Sequence, residues 1–371
     1  MGRGRGVRLA SDREAVRVAF LEQAGLGAAE RRPLPGDAST RRYERLVTPK
    51  GSTLMLMDAP PAAETKHCPP EASPTDRVGL GYNASARLSA GRVDAFAATA
   101  EFLRARGLSA PEILALDTEA GLAITEDLGD GLFARLIETG AGERPLYHAA
   151  IEALARLHAA PPPAVLGGDK ASWPLLTYDD LALKTGADLF TEWLPKFDPR
   201  VKLDDAAVAE WNALWAPLRA RAEAGADAFA HRDYHAENLI WLPERQGAAR
   251  VGMIDFQDAL RAHSSWDLHS LLQDARRDVP AELEAEALDL YFRLRPEVDR
   301  EAFMADYAAL AALNEARILG IFARLITRDG KPRYRAFMPR VWRHLEANLE
   351  QPGMEALKAW MDRHVPRDVR Q

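Results

Sequence analysis

Phe229-Ala-His231-Arg232-Asp233-Tyr234-His235-Ala-Glu237-Asn238-Leu-Ile-Trp241, followed at residue 251 by Val-Gly-Met-Ile254-Asp255-Phe256-Gln257, is the stretch that decides the fold. It concentrates side chains of one chemistry. Transfer of a phosphoryl group asks for a carboxylate that orients the attacking hydroxyl and takes its proton. It also asks for hard oxygen ligands for the Mg²⁺ that bridges the phosphates. An Asp and an Asn five residues apart in one loop, Asp233 and Asn238, meet both needs. Asp255, at the end of the next strand, supplies a second metal ligand.

The spacing His231-x-Asp233-x-x-x-x-Asn238 is that of the kinase catalytic loop H-R-D-x-x-x-x-N, with Arg232 at the Arg position. Asp255 stands where the Asp of D-F-G stands, although Gln257 replaces the Gly. Between Asn238 and Asp255 there is room for a hairpin that turns over residues Pro243 to Arg250. His231 is expected to brace the loop, and Asp267, in Trp266-Asp-Leu, to brace it from the following helix.

Outward from this stretch, the two halves of the chain differ. On the N-terminal side, Ser11-Asp-Arg-Glu14 has capping-box spacing and opens a helix with Val16, Ala19, Phe20 and Ala24 on one face. Residues 1–10 read as a flexible basic tail. Arg42 to Thr48 and Ser52 to Met57 read as strands around Pro49-Lys50-Gly51, and Ile113 to Leu116 and Leu122 to Thr125 as two more. Val93 to Leu103 has helical spacing. Residues 59–92, broken by Pro60, Pro61, Pro69, Pro70 and Pro74, read as a long loop and a possible lid. Residues 11–125 thus form a strand-rich lobe, 126–131 a hinge and 132–371 a helical lobe with one embedded hairpin. The expected fold class is α+β: a protein-kinase-like two-lobed fold with a small N-terminal antiparallel sheet lobe, a larger, mostly helical C-terminal lobe, and the active site in the cleft.

Composition excludes other classes. The chain has 371 residues and a net charge of −7, which argues against general nucleic-acid affinity. No run of 18 apolar residues marks a membrane span. The basic start leads into no apolar segment of a signal peptide, so a soluble, cytoplasmic and monomeric protein is expected. Cys68 is the single cysteine, and the histidines show no zinc spacing.

The catalytic-loop pair resembles the aminoglycoside phosphotransferase and choline kinase superfamily. Further stretches resemble its bacterial N-acetylmuramate/N-acetylglucosamine anomeric kinases, which serve cell-wall sugar recycling. These are Gly36-Asp-Ala-Ser39-Thr-Arg41-Arg42-Tyr43, Leu56-Met-Asp-Ala-Pro-Pro61, Glu126-Asp-Leu128-Gly129, Leu189-Phe-Thr-Glu192-Trp193, His231-Arg-Asp-Tyr234 and Ile254-Asp-Phe-Gln-Asp-Ala259. The resemblance implies ATP and an amino sugar as substrates, Mg²⁺ as cofactor, and sugar 1-phosphates as products. Gly36 to Arg42 would cover the phosphates, with Ser39, Arg41 and Arg42 in contact, unless it is an ordinary hairpin turn. The kinase strand lysine is missing: Met57 takes its position, so Arg41 or Arg42 supplies the cation, or ATP binds without one. Glu101 then lacks its usual partner and receives no role. Glu126 and Leu128 would meet adenine through the hinge backbone, with Leu56 and Ile254 as apolar contacts.

Glu192, Trp193, Arg232, Tyr234, His235 and Gln257 are the acceptor-site candidates. A Trp on a helix serves equally well as core, and His235 faces either substrate or its own loop. Two other readings compete: a kinase for another hydroxyl acceptor, such as an aminoglycoside or amino alcohol, and an inactive nucleotide-binding scaffold. The first expects a more acidic cleft, the second the loss of Asp233, Asn238 or Asp255, all of which are present.

Overall fold

The structure, a computed structural model, describes residues 3–35, 40–60 and 66–370. Helix α1 (Arg3–Gln23) leads into β1 (Glu30–Pro33), β2 (Arg42–Val47) and β3 (Thr53–Asp58). After α2 (Pro74–Leu80), α3 (Tyr82–Ser85) and α4 (Val93–Ala105) come β4 (Ile113–Asp117) and β5 (Leu122–Glu126). Among the described residues these strands form one antiparallel sheet in the order β1-β2-β3-β5-β4.

Tyr43 lies opposite Met57 and Arg45 opposite Met55. Strand alternation therefore puts these four on one sheet face, and Arg42, Glu44, Leu46, Leu56 and Asp58 on the other. The second face is covered by α1, where Phe20 and Leu21 join Leu46, Leu56, Leu122 and Ile124 in an apolar cluster. Arg13 Nε donates to Asp58 Oδ1 at 2.9 Å, and Arg17 Nη1 to Asp58 Oδ2 at 3.2 Å. Arg31 Nε reaches Glu44 Oε2 at 2.6 Å. The helix thus docks through its arginines as much as its apolar residues, and Val16, expected on the inner face, is 40% exposed. Residues 3–10, expected as a tail, are helical in backbone, so Ser11 lies inside α1 instead of starting it.

Residues 66–92 depart from the expected loop. Ser73 Oγ accepts the Asp76 N–H and Asp76 accepts the Ser73 N–H, both at 3.2 Å, a capping box with Pro74 in the first turn. Proline breaks a helix interior but fits its first turn, where its missing N–H has no partner to lose. Arg77, buried inside this segment, donates to Ser85 O at 2.8 Å and pairs with Asp179. Arg87 Nη2 reaches the same carboxylate at 2.8 Å. Asp179 also accepts the Ala182 N–H and so caps the helix that begins at Asp180, which anchors the segment to the helical lobe.

That lobe contains α5 (Phe133–Glu138), α6 (Glu143–His158), the pair β6 (Val165–Gly167) and β7 (Ser172–Pro174), α7 (Asp180–Phe197) and α8 (Asp205–Ala224). Next come β8 (Ala228–Ala230), β9 (Leu239–Trp241), β10 (Val251–Met253), β11 (Leu260–Ala262) and α9 (Ser265–Leu272). The chain closes with α10 (Ala281–Leu294), α11 (Arg300–Thr327), α12 (Met338–Leu349) and α13 (Glu355–His364). Where one hairpin was expected, β9 pairs with β10 and β8 with β11. One core cluster runs from Met57 and Phe96 through Phe256 to α6, α9 and α10, and a second fills the space among α7, α8 and α11–α13. Phe96 of α4 stacks on Phe256 with centroids 4.8 Å apart, joining the sheet side to the loop that carries Asp255. The architecture is an α+β two-lobed fold, with β8–β11 at the floor of the cleft.

Candidate active site

The loop after β8 is held from below by α9. Asp267 Oδ2 accepts the His231 N–H at 2.6 Å and its Oδ1 the Arg232 N–H at 2.9 Å. Trp266 Nε1 donates to Arg232 O at 3.1 Å. These bonds hold Arg232 at φ +81°, and the loop after β10 places Asp255 at φ +64°. A non-glycine residue in such a conformation costs roughly 1–3 kcal/mol and persists only where its surroundings over-determine it. His231 Nε2 lies 3.0 Å from Ile254 O and ties the two loops together.

Burial sets the charge states. Asp267 is pushed up to about 7 by burial, against the two backbone N–H bonds that favour its ionised form. Burial pulls His231 down and, aided by Arg276, pulls His235 well down, so both are neutral imidazoles. His235 Nε2 lies 3.1 Å from Arg276 Nη1 and 3.3 Å from Asn238 Nδ2, which makes it part of the loop's own bonding.

Among the described residues, no side chain hydrogen-bonds the Asp233 carboxylate, which is half-buried beside a cavity. Asn238 Nδ2 donates to Asp233 O at 2.9 Å, committing the amide nitrogen and leaving Oδ1 as an oxygen donor. Asp255 Oδ1 accepts from Arg41 Nη2 at 2.5 Å and from Gln257 Nε2 at 3.2 Å.

Two cavities border this loop. The larger, about 380 Å³, lies under the sheet, with Met55, Leu128, Leu132, Ile240 and Ile254 as apolar walls and Arg41, Asn238 and Asp255 at its polar end. The smaller, about 90 Å³, has Arg232, Asp233 and His235 on one side and Asp274, Arg276, Asn314, Arg317 and Phe322 on the other. The donor set at the polar end of the larger cavity suits Mg²⁺. It offers one carboxylate and one amide oxygen, and Mg²⁺ takes its remaining ligands from phosphates and water. Among the described residues, no cluster of three or more His, Cys, Asp or Glu forms a cage of the kind zinc takes.

The remaining sequence-predicted residues divide. Arg232 and His235 line the smaller cavity, and Leu128 and Ile254 the larger. Glu126 borders the larger cavity, while its carboxylate is bound by Arg245 and Arg104. Ser39 lies outside the described residues. Arg42 is exposed on the α1 face of β2, one residue out of phase with Arg41 and the cavity. Leu56, out of phase in the same way, packs against α1, and Met55 takes its place in the cavity. Tyr234 is fully buried with its hydroxyl on Ala150 O at 2.9 Å, so it anchors the loop to α6. Gln257 is buried, with Nε2 shared between Asp255 and Asp258, each at 3.2 Å. Glu192 pairs with Lys196, whose Nζ also sits 4.1 Å from the Trp193 ring centre; neither residue lines the cavity at Asp233. Glu101 accepts the Lys170 N–H at 3.2 Å. Asn314 and Arg317 escaped the sequence reading, although an Asn and an Arg within the Ala-rich run of α11 were a signal.

A carboxylate, an amide oxygen and a second carboxylate held between a sheet lobe and a helical lobe define a phosphotransferase class. The model of the phosphotransferase enzyme family matches residues 30–313, and the chain belongs to that family. It is 61% identical over 362 residues to an N-acetylmuramate/N-acetylglucosamine kinase of Caulobacter vibrioides, covering 98% of this chain and 99% of that one. A kinase of the same description from Pseudomonas aeruginosa is 30% identical over 326 residues, covering 86% of this chain and 83% of that one. Among solved structures, a choline/ethanolamine kinase family protein from Mesorhizobium loti shares the fold with a TM-score of 0.53 at 18% identity, covering 94% and 98% of the two chains.

Proposed function

We propose that this protein transfers the γ-phosphoryl group of ATP to the anomeric hydroxyl of N-acetylmuramate and N-acetylglucosamine. The products are the sugar 1-phosphates and ADP, made in the cytoplasm from free sugars of cell-wall turnover. The observation that carries this reading is the 61% identity, over nearly the whole of both chains, with the kinase described for these two sugars. The site supports it: Asp233 faces a cavity distinct from the one large enough for a nucleotide.

ATP occupies the larger cavity, its adenine between the 126–128 backbone and the apolar wall of Leu128, Ile240 and Ile254. Arg41 supplies the cation that protein kinases place on the third strand. Asn238 Oδ1 and the Asp255 carboxylate would hold Mg²⁺, which would neutralise charge on the phosphate oxygens. Asp233 accepts the acceptor hydroxyl's proton as the new O–P bond forms and the bond from phosphorus to the ADP oxygen breaks. An anomeric hydroxyl is more acidic than the other sugar hydroxyls, so a carboxylate suffices as base.

The test is phosphate transfer from Mg²⁺-ATP to each free sugar and to the methyl glycoside of N-acetylglucosamine. The free sugars should give acid-labile phosphate with no reducing end, and the glycoside none. A glycoside phosphorylated as fast as the free sugar would move the reaction to another hydroxyl. Asp233→Asn should retain ATP binding and lose turnover by roughly 10²–10⁴, the usual worth of a positioned base. A variant within about threefold of wild type would take Asp233 out of that role.

A further inference from the structure

The two sugars differ by one group. N-acetylmuramate carries a lactyl ether at C3, and with it a carboxylate that N-acetylglucosamine lacks. A pocket that orients the first by more than its ring must offer that carboxylate a cation. Two ring bonds separate C3 from the anomeric carbon, so the cation must share the cavity of the base that takes the anomeric proton.

Three guanidiniums line that cavity: Arg232, Arg276 and Arg317. Arg276 is committed, with Nε on the Glu237 carboxylate at 2.9 Å and Nη1 on His235. Arg232 also has Nε and Nη1 buried without a hydrogen-bond partner, but it lies over the Tyr178 ring, 5.1 Å from its centre, and belongs to the strained loop beside Asp233, on the base's own side of the cavity. Arg317 comes from the opposite wall. Its Nη1 donates to the neutral Asn314 Oδ1 at 2.9 Å, its Nε is buried without a hydrogen-bond partner, and no carboxylate forms an ion pair with it among the described residues. Burial pulls its pKa down, but Tyr178, Asp233, Tyr82 and Asp258 outweigh that and raise it, so the charge is kept.

The packing gives this side chain a fixed path. On α11, a Cβ at Gly320 would lie 2.3 Å from the Leu189 carbonyl carbon, so α7 and α11 touch backbone to backbone there. One turn earlier, a Cβ at Gly186 of α7 would lie 3.0 Å from Arg317 Cδ. Glycine at 186 leaves a slot for the arginine stem. The volume of about 90 Å³ at its end takes a substituent of a sugar better than a ring.

We propose that Arg317 is a specificity-determining residue that binds the lactyl carboxylate of N-acetylmuramate by a charge-assisted contact. This rests on the kinase reading above. N-acetylglucosamine leaves the site to water and reacts without it.

Arg317→Met keeps the stem and removes the charge, so N-acetylglucosamine serves as the control for folding and chemistry. Its kcat/KM should stay within about threefold of wild type, while that for N-acetylmuramate falls by roughly 10- to 100-fold, chiefly through KM, the range of a charged hydrogen bond. Arg317→Lys should recover part of the loss. The methyl ester of N-acetylmuramate should lose as much with the wild-type enzyme and no further with Arg317→Met. Equal losses on both sugars, or a wild-type enzyme indifferent to the ester, would overturn the assignment while leaving the kinase reading intact. Wild-type enzyme inert toward both sugars would instead sink the kinase reading.

Discussion

Arg41 Nη2 lies 2.5 Å from Asp255 Oδ1, so the residue before β2 reaches across the cleft to the carboxylate after β10. The pair closes the polar end of the larger cavity, and in the function proposed above Arg41 supplies the cation that protein kinases place on a strand lysine. Burial lowers the Arg41 pKa, but Tyr43, Asp255 and Asp258 more than restore it and leave it raised. Arg42, one residue on, points at the solvent on the α1 face.

The two arginines therefore separate cleanly. Arg41→Ala should weaken ATP by roughly 10- to 100-fold relative to adenosine, as expected for loss of a charged contact. Arg42→Ala should leave both ligands within about twofold, as for a surface substitution of half a kcal/mol. Titration of ATP and adenosine into each variant measures this. A larger ATP loss in Arg42→Ala than in Arg41→Ala would reverse the roles.

Asn238 and Asp255 are expected to act through oxygen. Asn238→Asp keeps an oxygen donor and should retain Mg²⁺-dependent nucleotide binding better than Asn238→Ala, although both variants lose the 2.9 Å bond that Nδ2 donates to Asp233 O. Asp255→Ala removes a hard ligand and should abolish most of the Mg²⁺ enhancement of ATP affinity. Unchanged Mg²⁺ dependence in Asp255→Ala would exclude it as a ligand.

How much of this was legible depends on what constrained each residue. Asp233, Asn238 and Asp255 could be read because their offsets follow from chemistry. Arg41 and Arg42 could not be told apart, since the sheet's phase is set by pairing with β3. Tyr234 follows Asp233 directly, yet its side chain turns into the core. Pro74 looked like a breaker because its partner signal, Ser73 with Asp76, is local and easily outvoted by neighbouring prolines. Glu192 and Trp193 are residue types that bind sugars, but α7 packs its Gly186 against the Arg317 stem and sets these two away from the cavity at Asp233. Arg317 was hidden for the opposite reason. A charge in the largely apolar run of α11 looks like surface until the packing of α7 on α11 is known.

The anchoring of residues 74–87 has its own test. Asp179 holds Arg77, whose side chain is 1% exposed, together with Arg87, and caps α7 by accepting the Ala182 N–H at 3.0 Å. Asp179→Ala leaves a buried guanidinium unpaired, which typically costs about 3–5 kcal/mol. The melting temperature should fall clearly, and limited proteolysis should cut first between residues 66 and 92. Unchanged cleavage there would mean that the segment is held by other contacts.

The last prediction concerns pH and the brace under the catalytic loop. Burial raises Asp267 to about 7 in the folded chain, while an unfolded Asp titrates near 4. Between those values the folded state binds more protons than the unfolded one. This group's contribution to stability is therefore complete below about pH 4 and is lost as pH rises through about 7. Asp267→Asn removes the titration, keeps a similar shape, and exchanges one acceptor oxygen for an NH₂ that faces a backbone N–H. The wild-type protein should thus be the more stable at pH 5, and its advantage in melting temperature should narrow by pH 8. The opposing force is the pair of N–H bonds at 2.6 and 2.9 Å, which favour the carboxylate. If the wild-type advantage is the same at pH 5 and pH 8, those bonds outweigh desolvation and Asp267 is ionised throughout that range.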